Sequence, residues 1–152
     1  MKVRISVRND VLAAMLAQAQ SAAGAECCGL LAGRDGMITR ILPARNAAKR
    51  PASEYEIAPE ELFGLMREIR AAGLELLGIY HSHPSGEGAP SASDIARAFY
   101  PEAAYFIVLP RTEEEKTRTL ALRARMGQPQ THLVRAFSIR DGVARELEIF
   151  AD

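Results

Sequence analysis

The sequence contains no tryptophan and only two cysteines, and its 19 basic residues are balanced by 19 acidic ones. A net charge of zero removes any bulk electrostatic attraction to nucleic acid or to an anionic membrane. No apolar run approaches the roughly 20 residues that a membrane-spanning helix needs. Residues 1–7 alternate like a strand and lack the apolar core of a secretory signal. We therefore expect a cytoplasmic protein with neither nucleic-acid nor membrane partners.

The two cysteines are adjacent, at Cys27 and Cys28. Neighbouring residues of a strand point to opposite faces, so these thiols are poorly placed to bridge each other. A nucleophilic cysteine would need an activating partner, which the sequence does not clearly supply. The pair therefore indicates one small buried side chain and one near a pocket, and no disulfide framework.

The chain has 152 residues, of which 48% are hydrophobic. This length and apolar content are sufficient for the core of one domain, which we expect to cover residues 1–152. Strand and helix patterns interleave, and Asp-Gly pairs at 35–36 and 141–142 indicate hairpins. The expected class is α/β with a mixed sheet. Predicted strands cover 3–7, 26–33, 37–42, 54–57, 74–83, 104–109, 134–140 and 143–150, with 120–125 as a strand or a helix; predicted helices cover 11–21, 59–72 and 93–100. Asn9 or Asp10 is expected to cap the first helix.

The most informative stretch is an apolar strand that begins at Leu74 and leads into His81-Ser82-His83-Pro84. Side chains two apart on a strand point to the same side, so His81 and His83 face one spot while Ser82 faces away. Pro84 favours an extended backbone at His83, which continues the strand through the second histidine. Two imidazoles on one face at the end of a strand are suited to binding a metal ion. His132, in a polar stretch, is expected at the surface.

Three further side chains could complete a reactive site. Asp94, at the start of a predicted helix, would be a third ligand, and a catalytic zinc ion takes three protein ligands and leaves the fourth position to water. Glu26, before an apolar strand, is the best candidate for a general base, and Ser91 would donate a hydrogen bond to an oxyanion. Ser-x-x-Asp is also a helix capping box, and Glu26 could be an ordinary solvated carboxylate.

The combination resembles the signature of the JAMM (MPN+, Mov34/PAD-1) metalloproteases. That family has a distant Glu, then His-Ser/Thr-His-Pro, about seven residues, and Ser-x-x-Asp. This sequence has Glu26, then His81-Ser82-His83-Pro84, six residues at 85–90, and Ser91-Ala92-Ser93-Asp94. The resemblance spans residues 26–109 and is specific, because the functional positions agree in type, order and spacing.

The resemblance implies a cytidine-deaminase-like mixed β-sheet flanked by helices. It also implies a zinc ion, Zn2+, held by His81, His83 and Asp94. By the same similarity Glu26 is the acid/base and Ser91 stabilises the transition state. The implied reaction is hydrolysis of an amide or isopeptide bond.

The short chain looks like the compact prokaryotic branch of this family, whose members are associated with ubiquitin-like sulfur-carrier proteins of the β-grasp fold. The expected substrate is therefore an amide bond after the C-terminal Gly-Gly of such a protein. Two alternatives stay open: a non-catalytic scaffold or binding module, and a non-haem iron oxygenase, because two histidines and a carboxylate also form the facial triad. Exposed strand edges would permit a homodimer.

Overall fold

The computed structural model describes residues 3–22, 24–110 and 133–152. Its strands are β1 (Arg4–Val7), β2 (Cys28–Arg34), β3 (Met37–Ala44), β4 (Glu75–Ser82), β5 (Ala104–Val108), β6 (Val134–Arg140) and β7 (Val143–Ala151), and its helices are α1 (Asn9–Ser21), α2 (Pro59–Ala71) and α3 (Ala92–Ala96). The strands form a closed sheet in the order β1-β3-β2-β4-β5-β6-β7. Three pairs, β1-β3, β1-β7 and β4-β5, are parallel and the other neighbours are antiparallel. A mixed α/β fold is confirmed.

Strand β5 shows why the central strands are continuous apolar runs in the sequence. Ala104, Phe106 and Val108 pack in the cluster that contains α1, whereas Tyr105 and Ile107 pack in the cluster that contains α2. Helices thus cover both faces of the strand, so neither face alternates with polar residues. The same two-sided burial extends to β4, which ends in a buried polar segment.

Two helix termini differ from the prediction. Helix α1 begins at Asn9 and its N-cap is Arg8, which makes no side-chain cap hydrogen bond; the Arg8 guanidinium instead binds the Asp10 carboxylate at 2.6 and 2.8 Å. Helix α3 ends at Ala96, well before the predicted residue 100. Beyond Ala96 the backbone leaves the helical ladder: the Ala98 N–H donates to the Ile95 carbonyl at 3.3 Å, and the Tyr100 N–H donates to the Tyr105 hydroxyl at 3.0 Å.

Residues 54–57 do not form the predicted strand, because their backbone groups bond to the Asn46 side chain and to Ala47 rather than to a neighbouring strand. Closure of the sheet gives each described strand a neighbour on both sides. The contact of β1 with β3 covers only Met37 and Ile38 of β3, and the homodimer stays a prediction.

The segment 111–132 lies outside the described residues, and with it the alternative of strand or helix at 120–125 and the expected surface position of His132. Within the described ranges, no helix combines the length and apolar character that crossing a membrane requires.

Candidate metal centre

Three donor atoms converge at the end of β4. His81 belongs to the strand, and His83 follows it, with a backbone N–H that donates to the Val108 carbonyl at 3.0 Å. Asp94 lies in the first turn of α3. The two histidine Nε2 atoms are 2.9 Å apart, and Oδ2 of Asp94 lies 3.2 Å from Nε2 of His81 and 3.0 Å from Nε2 of His83. The structure thus brings together the three side chains predicted as ligands.

This triangle of donor atoms fits a small divalent cation. An ion with tetrahedral bonds of about 2.0–2.1 Å holds its ligand atoms about 3.3 Å apart, close to the separations found here. The histidines are 1% and 7% exposed, so the charge of Asp94 lies against side chains with little access to water. Two imidazole nitrogens and one carboxylate oxygen leave one position of a tetrahedral site for a further ligand.

The orientation of His83 is set by the loop that follows it. Its Nδ1–H donates to the backbone carbonyl of Glu87 at 2.6 Å, and its Nε2 atom faces the donor triangle. Metal-binding histidines are typically oriented by such a bond from the second ring nitrogen. The contribution of Glu87 to the site is therefore its backbone carbonyl group.

The protonation of the cluster follows from burial and from its contacts. Burial lowers the pKa of His81, even though Asp94 opposes this. Burial also acts on His83, but hydrogen bonds to Asp94 and to the Glu87 carbonyl outweigh it and raise the pKa of His83. The pKa of Asp94 is held well below its ordinary value, because hydrogen bonds from both histidines outweigh its burial. Asp94 is therefore an ionised carboxylate at neutral pH.

Glu26 lies beside this cluster and is not part of the triangle. Ligand atoms of Glu26, His81 and His83 all lie within 4.8 Å of one another, a looser arrangement than the contacts of Asp94. Glu26 is 5% exposed, and its Oε1 atom has no hydrogen-bond partner among the described residues. Burial is the main cause that raises its pKa from 4.5 to about 7. A carboxylate with this pKa can accept and release a proton near neutral pH.

The register of β2 against β4 explains how Glu26 arrives there. Cys28 is paired with His81, and the Ser82 N–H donates to the Cys27 carbonyl at 3.0 Å. Continuing this antiparallel register by two residues on each strand from the Cys28–His81 pair brings Glu26 level with His83. Ser82 points away from the cluster, as predicted, and its hydroxyl accepts a hydrogen bond from the Cys27 N–H at 2.8 Å.

Ser91 and Asp94 form the capping box that was the structural alternative in the sequence. The Ser91 hydroxyl oxygen accepts from the Asp94 N–H at 3.0 Å, and the Ser91 N–H donates to Oδ2 of Asp94 at 2.9 Å. The same Oδ2 atom also contacts both histidines. Capping and a place in the donor triangle are therefore compatible. The exposed Ser91 hydroxyl retains its own proton as a donor.

Tyr55 is a site residue that sequence reasoning missed. Its ring stacks on the His81 imidazole with centroids 4.3 Å apart and an interplanar angle of 18°. It also borders an apolar cleft of about 420 Å³. The cleft is lined by Leu30, Tyr55, Glu56, Ile57, Leu62, Ile79, Arg97, Phe99, Tyr100 and Tyr105. Because Tyr55 belongs to both, the cleft adjoins the donor cluster. An aromatic residue before α2 was visible in the sequence, but its partner was not.

Both cysteines are buried and unpaired. Burial raises the pKa of Cys28 to about 12 and also raises the pKa of Cys27. Both thiols therefore stay protonated at neutral pH, and neither has the character of a nucleophile.

The closed mixed sheet, its flanking helices and this pattern of site residues together define a JAMM/MPN+ domain. The particular family is that of the prokaryotic homologs of the JAB domain, whose family model matches residues 8–124. The chain belongs to this family.

Two curated relatives are peptidases or desampylases. A desampylase from Haloferax volcanii is 39% identical over 113 residues, which are 70% of this chain and 81% of the relative. A CysO-cysteine peptidase from Mycobacterium tuberculosis is 31% identical over 142 residues, which are 92% of this chain and 86% of the relative. These relatives place the chain among the enzymes of the JAMM metalloprotease family.

Solved structures show the same fold. The solution structure of a protein from Desulfitobacterium hafniense superposes with a TM-score of 0.75 at 30% identity, and the match covers 97% of this chain and 92% of that one. A JAMM structure described as a metalloprotease-like zinc site in the proteasome and signalosome has a TM-score of 0.54 at 19% identity, over 97% of this chain and 98% of that one. The second likeness supports the fold alone.

Proposed function

We propose that this protein is a zinc-dependent peptidase that hydrolyses the amide bond after the C-terminal Gly-Gly of a ubiquitin-like or sulfur-carrier protein of the β-grasp fold. The observation that carries the proposal is the convergence of the His81, His83 and Asp94 donor atoms within 3.2 Å, with the buried Glu26 carboxylate beside them. Zinc suits this set, because it accepts imidazole nitrogen and carboxylate oxygen in a tetrahedral site.

In the proposed mechanism, His81, His83 and Asp94 hold the ion. Zinc bound there would supply Lewis acidity, which would lower the pKa of water toward about 7 and favour attack on the scissile carbonyl. Glu26 accepts the proton of the attacking water and returns it to the leaving amine. The Ser91 hydroxyl donates a hydrogen bond to the oxygen that becomes negative in the transition state. The Glu87 carbonyl keeps His83 in the required tautomer.

The surroundings of the cluster support an extended, glycine-rich substrate tail. On the segment that precedes α2, the Glu54 carbonyl and the Glu56 N–H face Asn46. The backbone groups of Tyr55 and Ile57, which alternate with these, do not bond to Asn46. Neither bonds to any described residue. A substrate strand that pairs with the backbone groups of Tyr55 and Ile57 would gain main-chain hydrogen bonds without needing large side chains.

The names of the relatives narrow the choice of substrate. A CysO-cysteine peptidase and a desampylase are among the curated proteins that match, and a further match is a probable TtuB-protein conjugate cleaving protease from Thermus thermophilus, 40% identical over 73 residues. We infer that the substrate of this chain is a conjugate or extension on a small carrier protein of the same kind.

The test uses the purified chain loaded with zinc and β-grasp carriers that end in Gly-Gly followed by an amino acid or a short peptide. Mass spectrometry should show loss of the residues beyond Gly-Gly, and chelation of the metal should stop the reaction. The matched control is a carrier whose Gly-Gly is replaced by Ala-Ala. The same cleavage under strict exclusion of oxygen would contradict the oxygenase alternative.

Two results would contradict the proposal. Full zinc occupancy without cleavage of any Gly-Gly carrier, together with tight binding of carriers, would favour the scaffold alternative. A product that carries oxygen from O₂, with iron required in place of zinc, would favour the oxygenase.

A further inference from the structure

One side chain, Asn46, holds the segment between β3 and α2 beside the donor cluster. Its Nδ2 group donates to the carbonyls of Glu26 and Glu54, both at 2.9 Å. Its Oδ1 atom accepts from the N–H groups of Ala48 at 3.0 Å and Glu56 at 3.1 Å. An asparagine amide offers two donor hydrogens and two acceptor lone pairs. All four hydrogen-bonding positions of Asn46 are therefore used.

These four bonds join the two sides of the proposed active site. Glu26 is tied to the segment a second time, because its N–H donates to the Pro51 carbonyl at 2.7 Å. The far end of the segment carries Tyr55, whose ring stacks on His81. The backbone of the proposed general base and the aromatic neighbour of a proposed ligand thus share one anchor.

We propose that Asn46 is a positioning residue that fixes Glu26 and Tyr55 relative to the donor triangle, and that the reaction depends on it without Asn46 touching the substrate. This inference rests on the proposed function only in taking Glu26 as the base. Aspartate at this position would keep the two acceptor contacts and lose both donors. Alanine would lose all four bonds. No other side chain of this length offers two donors and an acceptor from one planar group.

The two variants therefore separate two effects. Asn46→Asp cuts the link to the Glu26 and Glu54 carbonyls but keeps the contacts that shape the segment, so we expect kcat to fall on the order of ten- to hundredfold with KM changed less than threefold. Asn46→Ala also releases the segment, so KM should rise as well, on the order of tenfold. Asn9→Ala, at the other asparagine of the chain, exposed at the start of α1, is the matched control and should leave both constants unchanged.

A second readout needs no substrate. Because the chain has no tryptophan and four tyrosines, its emission comes from tyrosine. Co²⁺ bound in place of zinc should strongly quench the emission of Tyr55. The Tyr55 share of the quenching is the difference between the quenching measured in the wild type and in Tyr55→Phe. We expect Asn46→Ala to reduce this share at least twofold while the Co²⁺ absorption intensity is retained.

Thermal melting accompanies both assays, and rates are taken at a temperature where each variant is fully folded. Wild-type kcat in folded Asn46→Asp, or an unchanged Tyr55 share in folded Asn46→Ala, would overturn the proposal. If the loss of activity equals the fraction of unfolded protein, the role of Asn46 is purely structural, and this result would also overturn the proposal. If the wild type cleaves no carrier while the Tyr55 share falls as expected, the proposed function fails and the positioning role stands.

Discussion

Replacing Glu26 by glutamine should stabilise the metal-free protein and at the same time remove its activity. Glu26 is 5% exposed, and its Oε1 atom lacks a partner among the described residues. Burial raises its pKa from 4.5 to about 7, so the folded protein holds the carboxyl proton to a higher pH than the unfolded chain does. Ionisation of Glu26 at higher pH therefore costs folding free energy, and glutamine cannot ionise.

The size of the effect follows from the two pKa values. Each pKa unit between 4.5 and about 7 corresponds to about 1.4 kcal/mol, which gives an upper limit of about 3.5 kcal/mol for the cost of ionising Glu26 in the folded protein. The cost is absent below pH 4.5, grows as the pH rises toward 7, and is complete above 7. A buried glutamine amide without partners offsets part of the gain, so we expect a net stabilisation on the order of 1–2 kcal/mol at pH 8 and none at pH 4.

The assay is urea unfolding of the metal-free wild type and Glu26→Gln protein at several pH values. Glu75→Gln, at an exposed position on β4, is the matched control and should show no pH-dependent gain. With zinc restored, cleavage of a Gly-Gly carrier by Glu26→Gln should be slower by a factor on the order of 10² to 10⁴, since the general base is lost, while zinc content is unchanged.

Two outcomes would refute this reasoning. If the difference in the free energy of unfolding between Glu26→Gln and the wild type does not vary between pH 4 and pH 8, ionisation of Glu26 does not destabilise the folded protein. Cleavage by Glu26→Gln at the wild-type rate would remove Glu26 from the proposed mechanism.

Three further substitutions test the rest of the site and the sheet. Asp94→Ala should lower zinc content more than tenfold by elemental analysis, whereas Ser93→Ala on the same helix should keep it; full zinc in the first variant would contradict ligation. Ser91→Ala should reduce kcat on the order of a hundredfold with zinc retained, and an unchanged kcat would remove its proposed role. Gly29→Ala should lower the free energy of unfolding by about 1–3 kcal/mol, because its Cβ would lie 2.5 Å from the Leu42 carbonyl oxygen; an unchanged urea midpoint would contradict this.

Much of the fold was predictable because the buried strands and the hairpins have strong local signals. The Asp-Gly pairs at 35–36 and 141–142 do join hairpin strands, with a positive φ of 52° at Asp35 and Asp141. Pro59 does begin α2. The errors at the two helix termini lie where a side chain makes a contact that residue periodicity does not encode, as the Tyr105 hydroxyl does with the Tyr100 N–H after α3. Such a contact depends on the folded geometry even when the partner is only five residues away.

The candidate site was predictable in its residue types and their order. His81 and His83 share a face because of strand periodicity, and Ser91 with Asp94 marks a helix start, as found. Their roles as ligands, and those of Glu26 and Ser91 in the chemistry, stay predictions. Tyr55 and Asn46 were not predictable, because an aromatic ring and an amide in an irregular segment have many possible partners.

The sequence by itself determined the donor chemistry and the mixed α/β class, because side-chain types and residue periodicity are properties of short stretches. Only the tertiary structure decided that the Asp94 carboxylate contacts both imidazoles and that the Glu26 carboxylate lies farther from them. That choice depends on the β2-β4 register and on the position of α3, which pair residues far apart along the chain. Closure of the sheet was also decided there, since it needs β1 to meet both β3 and β7.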